Sequence, residues 1–298
     1  MNLKDYFDWN AKAADSCWAG CASLEDAMKE CKNLRMLSCL WQTAQGLEID
    51  AQEKTYPNLA LAKVSGLTFS KTFARSFCVD GFLKEEGTAG VPVLFICRES
   101  NISGNIDGST LELGPDGVGD DGQDKGDNPL FWLREVVKCK EKDPHDYFPS
   151  DGKLSSSEKG AQTKYYNCLS QLLDRLKEDE ELIGEDEKLI DKKKKLSDCA
   201  YLNINKRGGF ADCDLTRLAT YAQRYQAFIQ KEIQLINPEK IVVCGELKDQ
   251  CLQDTLEEIF RNCGKKNYWV YPKHPSRYTT EAFKNIVKYP VNREKMRI

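Results

Sequence analysis

The chain changes its pattern of apolar and polar positions near residue 88. Before that point, apolar side chains recur at roughly helical spacing among charged ones. Examples are Met28, Leu34, Leu37 and Leu40. After it, Val91–Cys97 is a short apolar run rich in β-branched and aromatic side chains, which is typical of a buried strand. We therefore predict a helical N-terminal extension over residues 1–88 and a second domain over residues 89–298.

Three further runs have the character of buried strands, namely Cys199–Ile204, Lys240–Gly245 and Asn267–Tyr271. Helical patterns separate them, at Leu215–Ile236 and at Leu247–Phe260. Alternating strands and helices predict an α/β fold, here a three-layer α/β/α arrangement around a central parallel four-stranded sheet. In such a sheet, ligands bind beyond the carboxyl ends of the strands.

Two segments interrupt this alternation and are expected to be insertions. Residues 107–128 are rich in Asp and Gly, which predicts a loop. Residues 150–195 are charged and helical in pattern, and they end in the run Lys192–Lys195. Such a lysine run is typical of a solvated helix end, with a DNA contact as the alternative.

Hydropathy and cysteine content indicate a soluble, cytoplasmic protein. No stretch approaches 18 consecutive apolar residues, and the first ten residues lack the pattern of a secretory signal, so no membrane partner is expected. The 13 cysteines are odd in number and scattered, which favours reduced thiols over a disulfide framework.

Charge is distributed unevenly along the chain. Residues 192–298 carry 21 Lys and Arg against 12 Asp and Glu, whereas residues 1–191 carry 22 against 35. A basic half on an acidic protein indicates a polyanionic partner, and DNA fits that description. Ordinary variation of surface charge is the alternative interpretation.

Several common α/β chemistries are excluded by the absence of their motifs. The chain has only two histidines, His145 and His274, and carries neither an HExxH helix nor a zinc-deaminase signature. It also lacks the GxxxxGK[ST] phosphate loop, a GxGxxG motif directly after the first strand, and a GxSxG nucleophile elbow.

Polar side chains follow three of the predicted strands at the points where those strands end. They are Glu99, Ser100 and Asn101 after the first, Asn203, Asn205, Lys206 and Arg207 at the second, and Lys273, His274, Ser276 and Arg277 after the last. Carboxyl ends of parallel strands share one edge of a sheet, so these groups are expected to face one crevice. Each also has an ordinary structural interpretation: an ion pair for Glu99, a satisfied turn-former for Asn203, and packing between prolines for His274.

These residues resemble motifs of the uracil-DNA glycosylase superfamily. His274–Arg277 is similar to the HPS motif, and Val93–Asn101 occupies the place of the first motif. Tyr201–Lys206 resembles the middle strand, where an Asn reads the base, and Ile236–Gly245 resembles the passage before the last motif. The order and spacing of these elements cover roughly residues 91–289.

The chain departs from the family pattern in its first motif. Family members have Gly and Pro there, as in GQDPYH or GMNPG, whereas this chain has Cys97 and Ser100. When the first motif is aligned residue by residue, Glu99 falls on the Asp of GQDPYH and the Asn of GMNPG, and Asn101 lies two residues later. The Tyr of GQDPYH, which helps to exclude thymine, has no clear counterpart in this chain. The resemblance therefore implies a glycosylase for a modified base, such as a hypermodified or glucosylated cytosine of phage DNA, at least as readily as one for uracil.

The resemblance also implies a role for each candidate residue. Glu99 or Asn101 would position the attacking water, and His274 would donate a hydrogen bond to the departing base. Asn203, with Asn205 and Ser100, would contact the base, and Phe131 or Trp132 would stack on it unless they are core residues. The phosphate contacts would be Lys206, Arg207, Lys273, Ser276 and Arg277.

No cofactor, metal or obligatory protein partner is predicted. Iron–sulfur branches of the family carry a Cys directly after the Lys of the middle motif, where this chain has Arg207. Three alternative functions stay open: a catalytically inactive nucleic-acid-binding protein of the same fold, a uracil-excising repair enzyme, and a hydrolase of free nucleosides or nucleotides.

Overall fold

A computed structural model describes the chain in twelve segments. They comprise residue 21 and residues 23–55, 61–64, 67–70, 77–78, 80–84, 87–101, 129–142, 156–178, 189–209, 213–277 and 285–291. The loop expected at residues 107–128 lies outside the described residues.

The described residues form seven α-helices and eight strands. The helices are α1 (Leu24–Glu30), α2 (Leu34–Thr55), α3 (Pro129–Lys142), α4 (Ser156–Glu178), α5 (Leu215–Arg224), α6 (Gln226–Ile236) and α7 (Gln250–Asn262). The strands are β1 (Leu61–Val64), β2 (Leu67–Ser70), β3 (Gly81–Phe82), β4 (Val93–Asn101), β5 (Ala200–Gly209), β6 (Lys240–Cys244), β7 (Asn267–Tyr271) and β8 (Val287–Pro290). Each of the four predicted strands is present, and the α/β class is confirmed.

Local sequence signals set several helix boundaries. The carboxylate of Asp214 accepts from the Arg217 amide at 3.1 Å and so caps α5, and Asp249 caps α7 through the Leu252 amide at 2.9 Å. Asn237, with a φ of 48°, ends α6 in the left-handed conformation that asparagine tolerates better than most residues.

Within the described residues, the main sheet has six strands in the order β3-β5-β4-β6-β7-β8. The pairs β5–β4, β4–β6 and β6–β7 are parallel, and β3 and β8 add antiparallel strands at the two edges. The sheet is therefore mixed and six-stranded, whereas the sequence predicted four parallel strands. The edge strands were missed because β3 spans two residues and β8 is largely exposed, so neither has a strong apolar pattern.

Helix α4 packs against the main sheet even though its sequence suggested a charged insertion. Its inward face carries Tyr165, Cys168, Leu169, Leu172, Leu173 and Leu176, all buried in the hydrophobic core. These positions repeat at the spacing of one face of a helix, so the charged residues that dominate its composition occupy the other face.

The segment before residue 88 shares this core. Helix α2 buries Trp41 within one hydrophobic cluster that also includes Phe95 of β4 and Phe228 of α6, and the Trp41 and Phe228 rings stack with centroids 5.1 Å apart. The segment is only partly helical, because it also supplies the β1–β2 hairpin and β3. A domain boundary at residue 88 stays a prediction, and the described residues on its two sides belong to one core. No helix among the described residues is both long enough and apolar enough to span a membrane.

Candidate functional site

The parallel register brings the carboxyl ends of the central strands to one edge of the sheet. Cys97 of β4 pairs with Asn203 of β5, and Glu99 pairs with Asn205. The register then shifts between Glu99 and Ser100, and pairing resumes with Ser100 opposite Gly208 and Asn101 opposite Gly209. The two sequence motifs therefore lie side by side in the backbone. The side chains of Glu99, Ser100 and Asn101 are outside the described part of the structure, as are those of Phe131, Trp132, Arg207 and Ser276.

His274 lies at the same edge, directly after β7. The residues that follow it form a short 3-10 turn in which the Arg277 amide donates to the His274 carbonyl at 2.9 Å. The imidazole is partly buried and meets the ring of Tyr165 edge-on, with ring centroids 5.5 Å apart. Burial, together with the cations of Arg98 and Arg277, lowers the pKa of His274 from 6.5 to about 4. The ring is therefore neutral at pH 7.

Arg98 approaches His274 from the end of β4. Its Nη2 donates to the Glu246 carbonyl at 2.9 Å, which holds the guanidinium beside the end of β6. Gly245 permits this approach, because it has a φ of 127° and a Cβ on it would lie 2.5 Å from Arg98 Nε. The site thus has a neutral imidazole with guanidinium groups close to it.

Tyr165 of α4 connects His274 to strands β4 and β5. Its hydroxyl lies 3.1 Å from the Cys97 Sγ and 3.1 Å from the Tyr201 hydroxyl. The Tyr201 hydroxyl donates to Asn203 Oδ1 at 2.8 Å. Burial raises the pKa of both phenols, so they are protonated and act as hydrogen-bond donors. A chain of contacts therefore runs from the imidazole to the amide of Asn203.

The chain of contacts continues into a group of buried charges. Asp80, just before β3, accepts hydrogen bonds from the Asn203 backbone amide and from the Lys206 ammonium. Lys206 also pairs with Glu232 of α6 at 2.8 Å, and its ammonium lies 4.9 Å from the centroid of the Trp41 ring. We call the set Tyr165, Tyr201, Asn203, Asp80, Lys206 and Glu232 the buried polar network.

Ionisation in the buried polar network is governed by one cation between two carboxylates. Burial raises the pKa of Glu232 to about 7 although Lys206 opposes that shift, and burial likewise raises the pKa of Asp80. Burial disfavours the charge on Lys206, but the two carboxylates outweigh it and raise the pKa of the ammonium. Lys206 is therefore charged and neutralised inside the protein.

This arrangement bears on the phosphate contact predicted for Lys206 and on the base contacts predicted for Asn203 and Asn205. Lys206 was expected to hold a DNA phosphate, and this is wrong for the arrangement described, because its side chain is 2% exposed and is paired with two carboxylates. Asn203 and Asn205 are also buried, and the amide of Asn203 already bonds to Tyr201 and Asp80. Lys273 and Arg277 are exposed beside His274, where a phosphate contact stays a prediction for both.

Several members of the site escaped sequence analysis, namely Arg98, Glu232, Asp80 and Tyr165. Asp80 is an isolated acid in a stretch without a motif. Its importance depends on the pairing of Gly81 and Phe82 with β5 and on the hydrogen bond from the Cys78 amide to the Lys206 carbonyl. Tyr165 lies within the segment interpreted as an insertion, and the signal that marked it was the apolar stripe of α4. Within the described part of the chain, no three His, Cys, Asp or Glu side chains are arranged to hold a metal ion.

Comparisons with protein-family models, with curated proteins and with solved structures find no match to this chain.

Proposed function

We propose that this protein is a monofunctional DNA glycosylase that flips a modified base out of DNA and hydrolyses its N-glycosidic bond. A modified cytosine, such as a hypermodified or glucosylated one in phage DNA, is the substrate class we propose first. The proposal includes the three-layer α/β/α arrangement that the sequence predicts and a cytoplasmic location. It rests on the motif resemblance together with one structural observation, the neutral His274 at the carboxyl edge of the sheet.

A neutral imidazole suits the departure of a base. When water attacks C1′ of the sugar, the bond from C1′ to the base nitrogen breaks and its electron pair leaves with the base as an anion. With a pKa of about 4, His274 is an N–H donor at pH 7 that stabilises this anion by a hydrogen bond. The cations of Arg98 and Arg277, which lower that pKa, add positive potential where negative charge develops.

Glu99 is our candidate for positioning the water, with Asn101 as the alternative. Both belong to β4, and the register places the Glu99 backbone beside Asn205 at the same sheet edge. A carboxylate there would orient water and stabilise the positive charge that develops on the sugar. Lys273 and Arg277 would contact the phosphates of the flipped nucleotide, since both are exposed next to His274.

The activity is tested by incubating the purified protein with genomic DNAs that carry different base modifications and then measuring abasic sites. We expect abasic sites in at least one modified DNA. His274→Ala should slow base release about 10²- to 10³-fold, which is typical of losing one donor to a developing anion. His145→Ala, at the only other histidine, is the matched control and should retain activity. The proposal would be falsified if His274→Ala and Glu99→Gln both released bases at the wild-type rate.

A catalytically inactive nucleic-acid-binding protein is the second candidate. It is favoured by the amide of Asn203, which is engaged by Tyr201 and Asp80 within the protein. This alternative predicts DNA binding that weakens with salt and no abasic sites in any DNA tested. Binding measured by fluorescence anisotropy at two salt concentrations, next to the abasic-site assay, separates the two candidates.

A further inference from the structure

Tyr165 is a buried side chain that the proposed mechanism does not use. It belongs to α4, is 5% exposed, and meets the imidazole of His274 edge-on with ring centroids 5.5 Å apart. Helix α4 also packs against the short turn Pro275–Arg277 that follows the histidine. One helix therefore supports both the imidazole and the turn beside it.

The hydroxyl of Tyr165 reaches a different part of the sheet. It lies 3.1 Å from Cys97 Sγ of β4 and 3.1 Å from the Tyr201 hydroxyl of β5. His274 instead follows β7, and β6 lies between β4 and β7 in the sheet. A single side chain therefore connects β4 and β5 with the residue after β7, across the intervening strand. Glu99, our candidate for positioning the water, follows Cys97 by two residues on β4.

Several contacts fix the ring of Tyr165 in place. Its hydroxyl has the two partners on β4 and β5, and its ring meets the Tyr201 ring edge-on with centroids 6.1 Å apart. Cys168, one turn further along the same face of α4, hydrogen-bonds to Tyr271 at the end of β7. The helix is thus attached to the sheet on both sides of β6, and the ring offers His274 a fixed surface.

We propose that Tyr165 is a positioning residue that holds the imidazole of His274 at a fixed place relative to β4 and β5. A histidine that donates to a departing base must lie within hydrogen-bond reach of it, and a misplacement of about 1 Å can cost about 10²-fold in rate. The catalytic half of this inference rests on the proposed glycosylase function, whereas the contact with His274 is a property of the protein alone.

The surroundings of the imidazole give this contact a measurable signature. Burial is the largest of the causes that lower the pKa of His274 to about 4, and the cations of Arg98 and Arg277 add to it. Arg98 faces the imidazole from β4 and Arg277 from the turn, whereas Tyr165 covers it from α4 without adding a charge. Both arginines remain when Tyr165 is replaced, so a change in the pKa reports the burial that the ring supplies.

Three variants separate the ring, its hydroxyl and the helix. Tyr165→Ala removes the ring and lets water reach the imidazole, whereas Tyr165→Phe keeps the ring and loses only the hydroxyl contacts. Tyr166→Ala is the matched control, because this half-buried neighbour on α4 hydrogen-bonds to Ser170 and lies near Glu141. Thermal unfolding checks that each variant is folded. Tyr165→Leu, which has an apolar side chain without a ring, takes the place of Tyr165→Ala if the alanine variant does not fold.

The imidazole is followed by NMR during a pH titration of protein with 13C-labelled histidine. The chain has only two histidines, so His145→Gln assigns the His274 signal. In Tyr165→Ala we expect the pKa of His274 to rise from about 4 toward its ordinary value of 6.5, and in Tyr165→Phe and Tyr166→Ala to stay near 4. An unchanged pKa in Tyr165→Ala, or an equal rise in either of the other two variants, would overturn the inference whether or not the protein has glycosylase activity.

The catalytic half is measured as base release at saturating and at limiting DNA, which separates kcat from KM. Tyr165→Ala should lower kcat by about 10²-fold, because the donor to the departing base is no longer held in place. Its KM should change little, since the proposed phosphate contacts Lys273 and Arg277 remain. Tyr165→Phe should lower kcat by about tenfold at most, the worth of one hydrogen bond, and Tyr166→Ala should stay within about threefold of the wild type.

The outcomes of the two measurements are distinguishable. A wild-type kcat in Tyr165→Ala would overturn the catalytic half. Absence of base release by the wild type from every DNA would instead overturn the glycosylase function together with the catalytic half, and the NMR titration would then decide the contact between Tyr165 and His274 by itself.

Discussion

Replacing Glu232 with Gln should change how the stability of the protein depends on pH. The Glu232 carboxylate is buried on α6 and pairs with Lys206, which also serves Asp80. One ammonium cannot neutralise two carboxylates in a low-dielectric interior, so one of them binds a proton near neutral pH. We assign this proton to Glu232, whose pKa burial raises to about 7, because Asp80 also accepts from the Asn203 backbone amide, which favours the charged form of Asp80.

The sign and size of the effect follow from this pKa. Unfolded Glu232 titrates near 4.5, so between about pH 4.5 and 7 the folded state holds a proton that the unfolded state has released. The free energy of unfolding therefore falls as pH rises through this window. The difference between the two pKa values corresponds to a change of about 3 kcal/mol at most in the free energy of unfolding, since each unit of pKa is worth about 1.4 kcal/mol. Gln cannot ionise, so the variant should lack this contribution.

His274 acts in the opposite direction over much of the same range. Its pKa is about 4 when folded and near 6.5 when unfolded, so the unfolded state binds the extra proton between these values. The contribution of His274 to the free energy of unfolding therefore increases as pH rises from about 4 to 6.5. The two effects partly cancel in the wild type, so the informative quantity is the difference between wild type and variant at each pH.

Urea unfolding at half-unit steps from about pH 4.5 to 8 measures that difference. We expect the free energy of unfolding of the wild type minus that of Glu232→Gln to decrease by about 2 to 3 kcal/mol as the pH rises across this range. A constant packing cost of the substitution would shift the whole curve without changing its slope. Glu246→Gln is the matched control, because the Glu246 carboxylate is 47% exposed in a surface pair with Lys248. The free energy of unfolding of this variant, plotted against pH, should be parallel to that of the wild type. Parallel curves for Glu232→Gln as well would refute the assignment of Glu232 as the proton-binding carboxylate.

Two further predictions concern stability and are checked by urea unfolding at neutral pH. Lys206→Met leaves two buried carboxylates without a cation and should lower the free energy of unfolding by about 3 to 5 kcal/mol. Lys29→Met, in an exposed pair, should lower it by less than about 1 kcal/mol. Similar losses in the two variants would show that the buried cation is unimportant for stability. Gly245→Ala should cost about 2 kcal/mol or more, because the new Cβ meets Arg98 at positive φ. Gly264→Ala, at a φ of 73° with no atom within 4 Å of its Cβ, should cost about 1 kcal/mol, and an equal cost at both glycines would contradict a role for the Arg98 contact.

The arrangement of α4 and of the sheet edges illustrates where sequence reasoning stops. The charged composition of residues 150–195 suggested an insertion, yet the apolar stripe from Tyr165 to Leu176 packs into the core. Composition averages over the two faces of a helix, whereas burial depends on one face alone. Strand β3 is too short for any periodicity to be detected, and it joins the sheet through pairing with a partner more than a hundred residues away.

Local features of this protein could be read from the order of its residues: four apolar runs that form neighbouring strands, and the polar residues, His274 among them, that follow those runs. These depend on residues close together in the chain, where periodicity and side-chain chemistry act directly. The roles of Lys206 and Asp80 emerge only in the folded chain. Lys206 follows the end of the strand predicted from sequence, as a phosphate contact would, but in the structure it lies within β5 with two acids and Trp41 around it. A charge is neutralised by whichever groups surround it in space, and its surroundings are set by long-range packing that no short stretch of sequence records.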